Sequence, residues 1–320
     1  MLGAAEVARL RKPTLTFDNN PRLTIRRDVV YGKITPDMQR MDAYLVKSDR
    51  PTPVLLEFHG GGWRRGAKSQ FTYSAGLVES ILAADISVIS VDYRLTPKHP
   101  FPAQVEDAAR AVQFVRSKSK EWNLDPDRIV AMGGSAGAHL SAWVALHDDL
   151  ARPDSPDPIE RHSTRLRSFV DLWGPMDLTR VRPTELAKAG LRGADFADAF
   201  TAAFTCTAEA FERDPEVRRR IREASPLFLV TRDDPPALIV HAVGEAMAPA
   251  KHPPIPEVIN DPHSAWHGAL LADAMREAGI EVVCRLGPQV GKDPTADNEA
   301  IIRFIQGSLR LEKNPQMPQR

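Results

Sequence analysis

The run Gly133-Gly134-Ser135-Ala136-Gly137 constrains this chain more than any other feature, because it stands between a strand pattern and a helix pattern. Ile129 to Met132 is a compact apolar run that reads as a strand, and Ala136 to His147 reads as the helix leaving it. A serine on so short a connection lies at a sharp strand-to-helix turn, where its side chain is lifted clear of the sheet. Glycines at 133 and 137 permit that turn, and the small residues Ala136, Gly137 and Ala138 let the helix pack closely on the sheet. The first amides of the helix point at the same spot. A serine hydroxyl is a weak nucleophile at neutral pH, so chemistry at Ser135 requires a base for its proton and donors for a developing negative charge.

The donors are offered upstream. Val54 to Phe58 is an apolar run ending at His59-Gly60-Gly61-Gly62-Trp63, and the glycines can bring backbone amides close to a ligand oxygen without side-chain obstruction. Trp63 is placed beside them as a substrate contact, while His59 is expected to orient the loop. Chains that capture nucleic acid or an anionic membrane carry an excess of basic residues, but here lysine plus arginine equals aspartate plus glutamate at 42 each. A small molecule is the expected partner. No apolar run approaches the roughly 20 residues that span a bilayer. Met1 to Asn20 has scattered charges rather than a leader's apolar core, so a cytoplasmic protein is expected. Cys206 and Cys284 are too few for a disulfide framework and read as buried free thiols.

At 320 residues the chain is read as one α/β domain, 1–320, whose strands and helices alternate. Strands are expected at Thr24 to Tyr31, Met41 to Val46, Val54 to Phe58, Ile86 to Val91, Ile129 to Met132, Phe169 to Trp173, Ala237 to Ala242 and Glu281 to Leu286. Helices are expected over Phe71 to Ala84, after Pro102 where Val105, Ala108, Ala109, Val112 and Val115 recur at helical spacing, over Ala265 to Ala278, and from Asp297 to Leu309. Leu178 to Ala224, rich in alanine, arginine and glutamate, is read as a helical cap inserted at 178–224. Met247 to Pro262 is proline-rich and aperiodic, so it reads as a long loop. The tail after Leu311 is expected to fray.

Four blocks together resemble the α/β-hydrolase superfamily, and more closely its hormone-sensitive-lipase-like and feruloyl-esterase-like (BD-FAE-like) carboxylesterases. They are His59-Gly60-Gly61-Gly62-Trp63, Asp92-Tyr93-Arg94-Leu95 with Phe101-Pro102-Ala103, Gly133 to Leu140, and Ser225-Pro226 leading through Asp234-Pro235-Pro236 to His241. The resemblance implies an α/β-hydrolase fold with a mainly parallel sheet. It also implies a serine carboxylic-ester hydrolase working through an acyl-enzyme on Ser135, with the oxyanion held by Gly61, Gly62 and Ala136. The partner implied is a small-molecule ester, with no metal and no organic cofactor. A homo-oligomer is compatible with the sequence, which does not specify one.

The acid falls, by the same resemblance, on Glu245 in His241-Ala242-Val243-Gly244-Glu245-Ala246-Met247-Ala248-Pro249, where the family usually has aspartate. The base departs from the pattern. The family's turn after the last core strand carries a histidine, whereas this chain reads Gly287-Pro288-Gln289-Val290-Gly291-Lys292-Asp293, and no histidine follows His267. His263, on the loop just before a helix, is the favoured displaced base, ahead of His267 and His252. His139 is expected to pack in the serine's own helix, and Lys292 would serve only if strongly desolvated. Two alternatives stay open: a base-less binding protein on the same fold, and an arylformamidase-like amide hydrolase.

Overall fold

The computed structural model of the protein describes Phe17 and residues 20–70, 75–242, 254–287, 290 and 294–310. The apolar runs form β1 (Leu23–Val30), β2 (Arg40–Val46), β3 (Thr52–Phe58), β4 (Ser87–Val91), β5 (Leu124–Gly134), β6 (Ser168–Leu172), β7 (Ala237–His241) and β8 (Val282–Leu286). They make one eight-stranded sheet in the order β1-β2-β4-β3-β5-β6-β7-β8. β2 pairs antiparallel with β1 and β4, and every other neighbouring pair is parallel. This is the α/β-hydrolase arrangement.

Helices cover both faces, which is why the central strands read as mostly apolar runs. They are α1 (Ala75–Ala83), α2 (Ala103–Ser117), α3 (Ser119–Trp122), α4 (Ala136–Leu146), α5 (Pro183–Leu186), α6 (Gly190–Phe204), α7 (Ala208–Arg213), α8 (Pro215–Ala224), α9 (Ala265–Glu277) and α10 (Pro294–Arg310). Side chains alternate between two cores with the period of a strand. Val54, Leu56, Ile129, Ala131 and Phe169 join the core under α2, α4, α6 and α9. Leu55, Val88, Val130, Met132 and Val170 join the opposite core with Leu77 and Ile81 of α1 and Ile301 and Ile305 of α10.

Several boundaries differ from those expected. β5 starts at Leu124 rather than Ile129, because a register shift opposite Thr52 and Val54 absorbs the Asp125-Pro126-Asp127 break. β6 stops at Leu172, since Trp173 turns to a positive φ of 51°. The last helix begins at Pro294 instead of Asp297. Of the helix expected over residues 71–84, residues 71–74 lie outside the described residues, as do the tail beyond 310 and residues 247–253 of the long loop. Residues 254–263 carry no helix or strand. Within 178–224 a 3-10 turn at Leu178–Arg180 precedes α5 to α8, and side-chain caps divide them. Thr207 accepts from the Ala210 amide at the start of α7, and Asp214 accepts from Glu216 and Val217 at the start of α8. Cys206 and Cys284 are free, and both are half-buried rather than buried.

The junction of β5 and α4 leaves no room for side chains at its glycines. A Cβ on Gly137 would fall 1.9 Å from the Phe58 carbonyl oxygen and 2.8 Å from that of His59, and one on Gly133 would fall 2.5 Å from Phe58 O. The two glycines are therefore required by close approach. Neither has a positive φ among the described residues; the strained turn falls on Ser135 itself, with φ 55° and ψ −119°. Such a conformation costs a non-glycine residue about 1–3 kcal/mol. The elbow is held by hydrogen bonds from Ser135 N to Leu172 O at 2.9 Å and from His139 N to Ser135 O at 3.0 Å. Gly137→Ala is expected to destabilise the protein by about 1–3 kcal/mol, the usual cost of overpacking, as read from the shift of the urea unfolding midpoint; an unchanged midpoint contradicts the packing described.

Candidate active site

The sharp turn between β5 and α4 projects Ser135 into a cavity of about 200 Å³ at the carboxyl ends of the parallel strands. Its lining includes Gly61, Gly62 and Trp63 from the loop after β3, Ala136 at the first turn of α4, Trp173 and Pro175 after β6, and Pro262 and His263 before α9. Asp195, Phe196, Ala199 and Phe200 of α6 complete the wall at helical spacing. Apart from the hydroxyl, the imidazole and the charged groups at the rim, the surface is aromatic and apolar.

His263 Nε2 stands 2.8 Å from Ser135 Oγ across 128 residues of sequence. Three local interactions aim the ring. The His263 amide donates to Asp261 Oδ1 at 2.9 Å. Ser264, the next residue, caps α9 by accepting from the Trp266 amide. The Phe196 ring meets the imidazole edge to face, with centroids 5.5 Å apart. Burial pushes the His263 pKa down to about 4, against an opposing pull from the Asp261 carboxylate. The ring is therefore neutral at pH 7, with a nitrogen lone pair available to the serine proton.

The other candidate histidines among the described residues face elsewhere. His267 is fully buried, its Nδ1 accepting from the Asp177 amide at 3.3 Å. His139 Nε2 donates to the Ala224 carbonyl at 2.7 Å from within α4. His59 Nδ1 donates to the Gly60 carbonyl at 2.7 Å, and its ring stacks on Tyr93, whose hydroxyl donates to the His59 carbonyl at 2.8 Å. Desolvation lowers the pKa of His59 and His139 to about 4 and that of His267 to about 3. Glu245, His252 and Lys292 lie outside the described residues.

The glycine loop is built for backbone exposure. Gly61 and Gly62 have φ of 109° and 61°, and a Cβ on Gly61 would strike the Arg65 carbonyl oxygen at 2.1 Å. Amides of Arg64 and Arg65 donate back to Gly61 O, the Thr96 amide donates to Trp63 O, and Lys68 N donates to Asp92 Oδ1. Trp63 packs edge-on against His139 and Phe200 at 5.1 and 5.8 Å. Arg65 Nη1 donates to Asp195 Oδ1 at 2.9 Å and Arg64 Nη1 to the Asp195 carbonyl at 3.2 Å, which joins this loop to α6 across the cavity rim. Among the described residues no cluster of three or more His, Cys, Asp or Glu side chains is arranged to hold a metal ion.

Sequence reasoning missed Trp173, Phe196 and Phe200, because helical periodicity in 178–224 reveals an apolar face without revealing what it covers. It also missed a buried hydrogen-bonded pair, Asp171 with His241 at 2.9 Å. A carboxylate within the apolar run Phe169-Val170-Asp171-Leu172-Trp173 was the available signal.

The profile of the BD-FAE family matches residues 41–253. Among curated proteins, esterase LipC of Mycobacterium tuberculosis is 32% identical over 235 residues, covering 72% of this chain and 53% of that protein. Carboxylesterase NlhH of the same species is 35% identical over 199 residues, 61% of this chain and 58% of that protein. The chain thus spans little more than half the length of these relatives. Among solved structures, a truncated carbohydrate esterase from gut microbiota superposes with a TM-score of 0.69 at 20% identity, covering 89% of this chain and 96% of that one. An esterase from Pyrobaculum calidifontis superposes with a TM-score of 0.62 at 21% identity, over 91% and 86%. These two share the fold. No helix among the described residues is long and apolar enough to cross a membrane. With the family profile extending over two thirds of the chain, from β2 through the glycine loop, the Ser135 turn and α6 to the end of β7, the chain belongs to the BD-FAE family of α/β-hydrolase-fold proteins.

Proposed function

We propose that the protein is a serine carboxylic-ester hydrolase acting on small esters, with Ser135 as nucleophile and His263 as general base. The observation that carries this reading is the 2.8 Å contact between Ser135 Oγ and His263 Nε2 inside a cavity lined by Gly61, Gly62 and Ala136. The naming of relatives as esterase and carboxylesterase supports it. His263 takes the hydroxyl proton as Oγ adds to the ester carbonyl. The new oxyanion is met by the amides of Gly61, Gly62 and Ala136, a class of interaction worth about 3–4 kcal/mol per donor. Collapse of the tetrahedral intermediate breaks the bond to the alcohol oxygen, which takes the proton from the His263 imidazolium and leaves. Water then repeats the sequence on the acyl-enzyme, with His263 first accepting its proton and then returning one to Ser135 Oγ.

Glu245 is our candidate for the carboxylate that orients His263, on its position a few residues after β7. Residues 178–224 serve as a cap: α6 walls the cavity, and Asp195 links it to Arg64 and Arg65. Trp63, with Trp173, Phe196 and Phe200, forms the apolar substrate surface. A cavity of about 200 Å³ lies below the roughly 300–1,000 Å³ of drug-sized ligand pockets, which suits a short acyl chain. A base-less binding protein was motivated by a missing imidazole, and His263 removes that motive.

Turnover of nitrophenyl acetate or butyrate is expected to fall by roughly 10⁴-fold or more in Ser135→Ala and in His263→Ala; an inert wild type or a fully active Ser135→Ala overturns the reading. The base works only when neutral. With its pKa lowered from 6.5 to about 4, kcat/KM is expected to hold as pH falls through 6.5 and to drop near pH 4. A half-loss at pH 6.5 or above contradicts the desolvated environment given to His263. Dodecanoate esters are expected to be turned over at least about 10-fold less efficiently than butyrate, since a long chain exceeds the cavity formed by the described residues; equal kcat/KM for both would contradict the cavity's size as the selector.

A further inference from the structure

Asp171 and His241 lie at the carboxyl ends of the neighbouring strands β6 and β7, with both side chains at 0% exposure. His241 Nε2 is 2.9 Å from Asp171 Oδ2, and its Nδ1 is 3.0 Å from the Ser264 carbonyl oxygen. A carbonyl only accepts, so His241 Nδ1 carries a hydrogen. A second proton must lie between Nε2 and the carboxylate, since two lone pairs at that distance in a dry interior would repel. The pair therefore holds two protons and gives one firm donor to Ser264 O.

Ser264 follows His263 directly and caps α9. The His241 ring also lies against the first turns of that helix, for a Cβ on Gly268 would fall 2.7 Å from its Cδ2. Asp171 Oδ1 meanwhile accepts from the Gly174 amide at 2.8 Å, bracing the Trp173 to Pro175 wall of the cavity. The base arrives from a segment without helix or strand, so its position depends on where the start of α9 is pinned. We propose that Asp171 and His241 form a positioning pair that holds His263 against Ser135 through the Ser264 carbonyl. The proposal rests on Ser135 and His263 being nucleophile and base. Neither member of the pair touches the reacting atoms.

Three variants of the full chain separate positioning from stability. In His241→Gln the side chain reaches towards Asp171 but leaves Ser264 O without its donor, whereas His241→Asn places an amide donor near the Nδ1 position. Misplacing a catalytic group by about 1 Å costs on the order of 100-fold, so kcat for nitrophenyl butyrate is expected to fall by that order in His241→Gln. KM is expected to change less than about threefold, since the cavity wall is separate from the base. His241→Asn is expected to recover at least about 10-fold of that loss by restoring a donor. A merely structural pair would lower both unfolding midpoints while leaving kcat of the folded protein intact, which overturns the proposal. Asp171→Asn keeps both bonds, accepting from Gly174 and donating to His241 Nε2, and is expected within about threefold of wild-type kcat. Should His241→Gln not fold, this variant decides: a loss in Asp171→Asn as deep as in His263→Ala means that the charge matters rather than the position, and the proposal fails. An inactive wild type would instead contradict the Ser135 and His263 reading, while an active enzyme dependent on both but indifferent to His241→Gln contradicts only the pair's role.

Discussion

The approach of α4 to the end of β3 is the constraint on which the rest of the structure depends. No side-chain atom fits between Gly137 and the carbonyls of Phe58 and His59, nor between Gly133 and the same strand end. Closing that gap brings the first turn of α4 beside the loop that follows Phe58. The amide of Ala136 and those of Gly61 and Gly62 thereby come to line one cavity. The cost is a serine at φ 55°, roughly 1–3 kcal/mol, which the two apolar cores flanking the sheet sustain. The turn lifts the Ser135 hydroxyl out of the sheet and to 2.8 Å from His263 Nε2.

Burial then sets the chemistry. His59, His139, His263 and His267 are all held neutral by desolvation, but only His263 presents its nitrogen to Ser135. A neutral imidazole in an aromatic cavity is ready to accept a proton. Amide donors lining the same cavity, in the proposed role of holding an oxyanion, would act with less screening than in water. Helix α6 contributes Phe196 to the edge of the His263 imidazole and Asp195 to the arginines of the glycine loop, so it touches both sides of the cavity.

The sheet was legible in the sequence because parallel strands buried on both faces are mostly apolar runs, and the elbow was legible because glycine, serine and alanine stood between one such run and a helix. The reason for the glycines was not. Chain-local reasoning assigns them to a turn, whereas Gly133 and Gly137 answer to Phe58, a contact across strands. His263 was legible only as one of several loop histidines; its selection depends on the path of residues 254–263, which have no periodicity to read. Asp171 and His241 were hidden for a related reason. Each looks like an isolated polar residue at a strand end until β6 and β7 are known to be neighbours.

His263 is proposed to activate Ser135 through the 2.8 Å contact between them. Intact-mass kinetics of phosphonylation by a fluorophosphonate, followed by peptide mapping, measures that step without requiring the natural ester. One adduct per chain, on Ser135, forming on the order of 10³-fold more slowly in His263→Ala than in wild type, is the expected result. Equal labelling rates in the two proteins, or an adduct on another residue, would contradict the account.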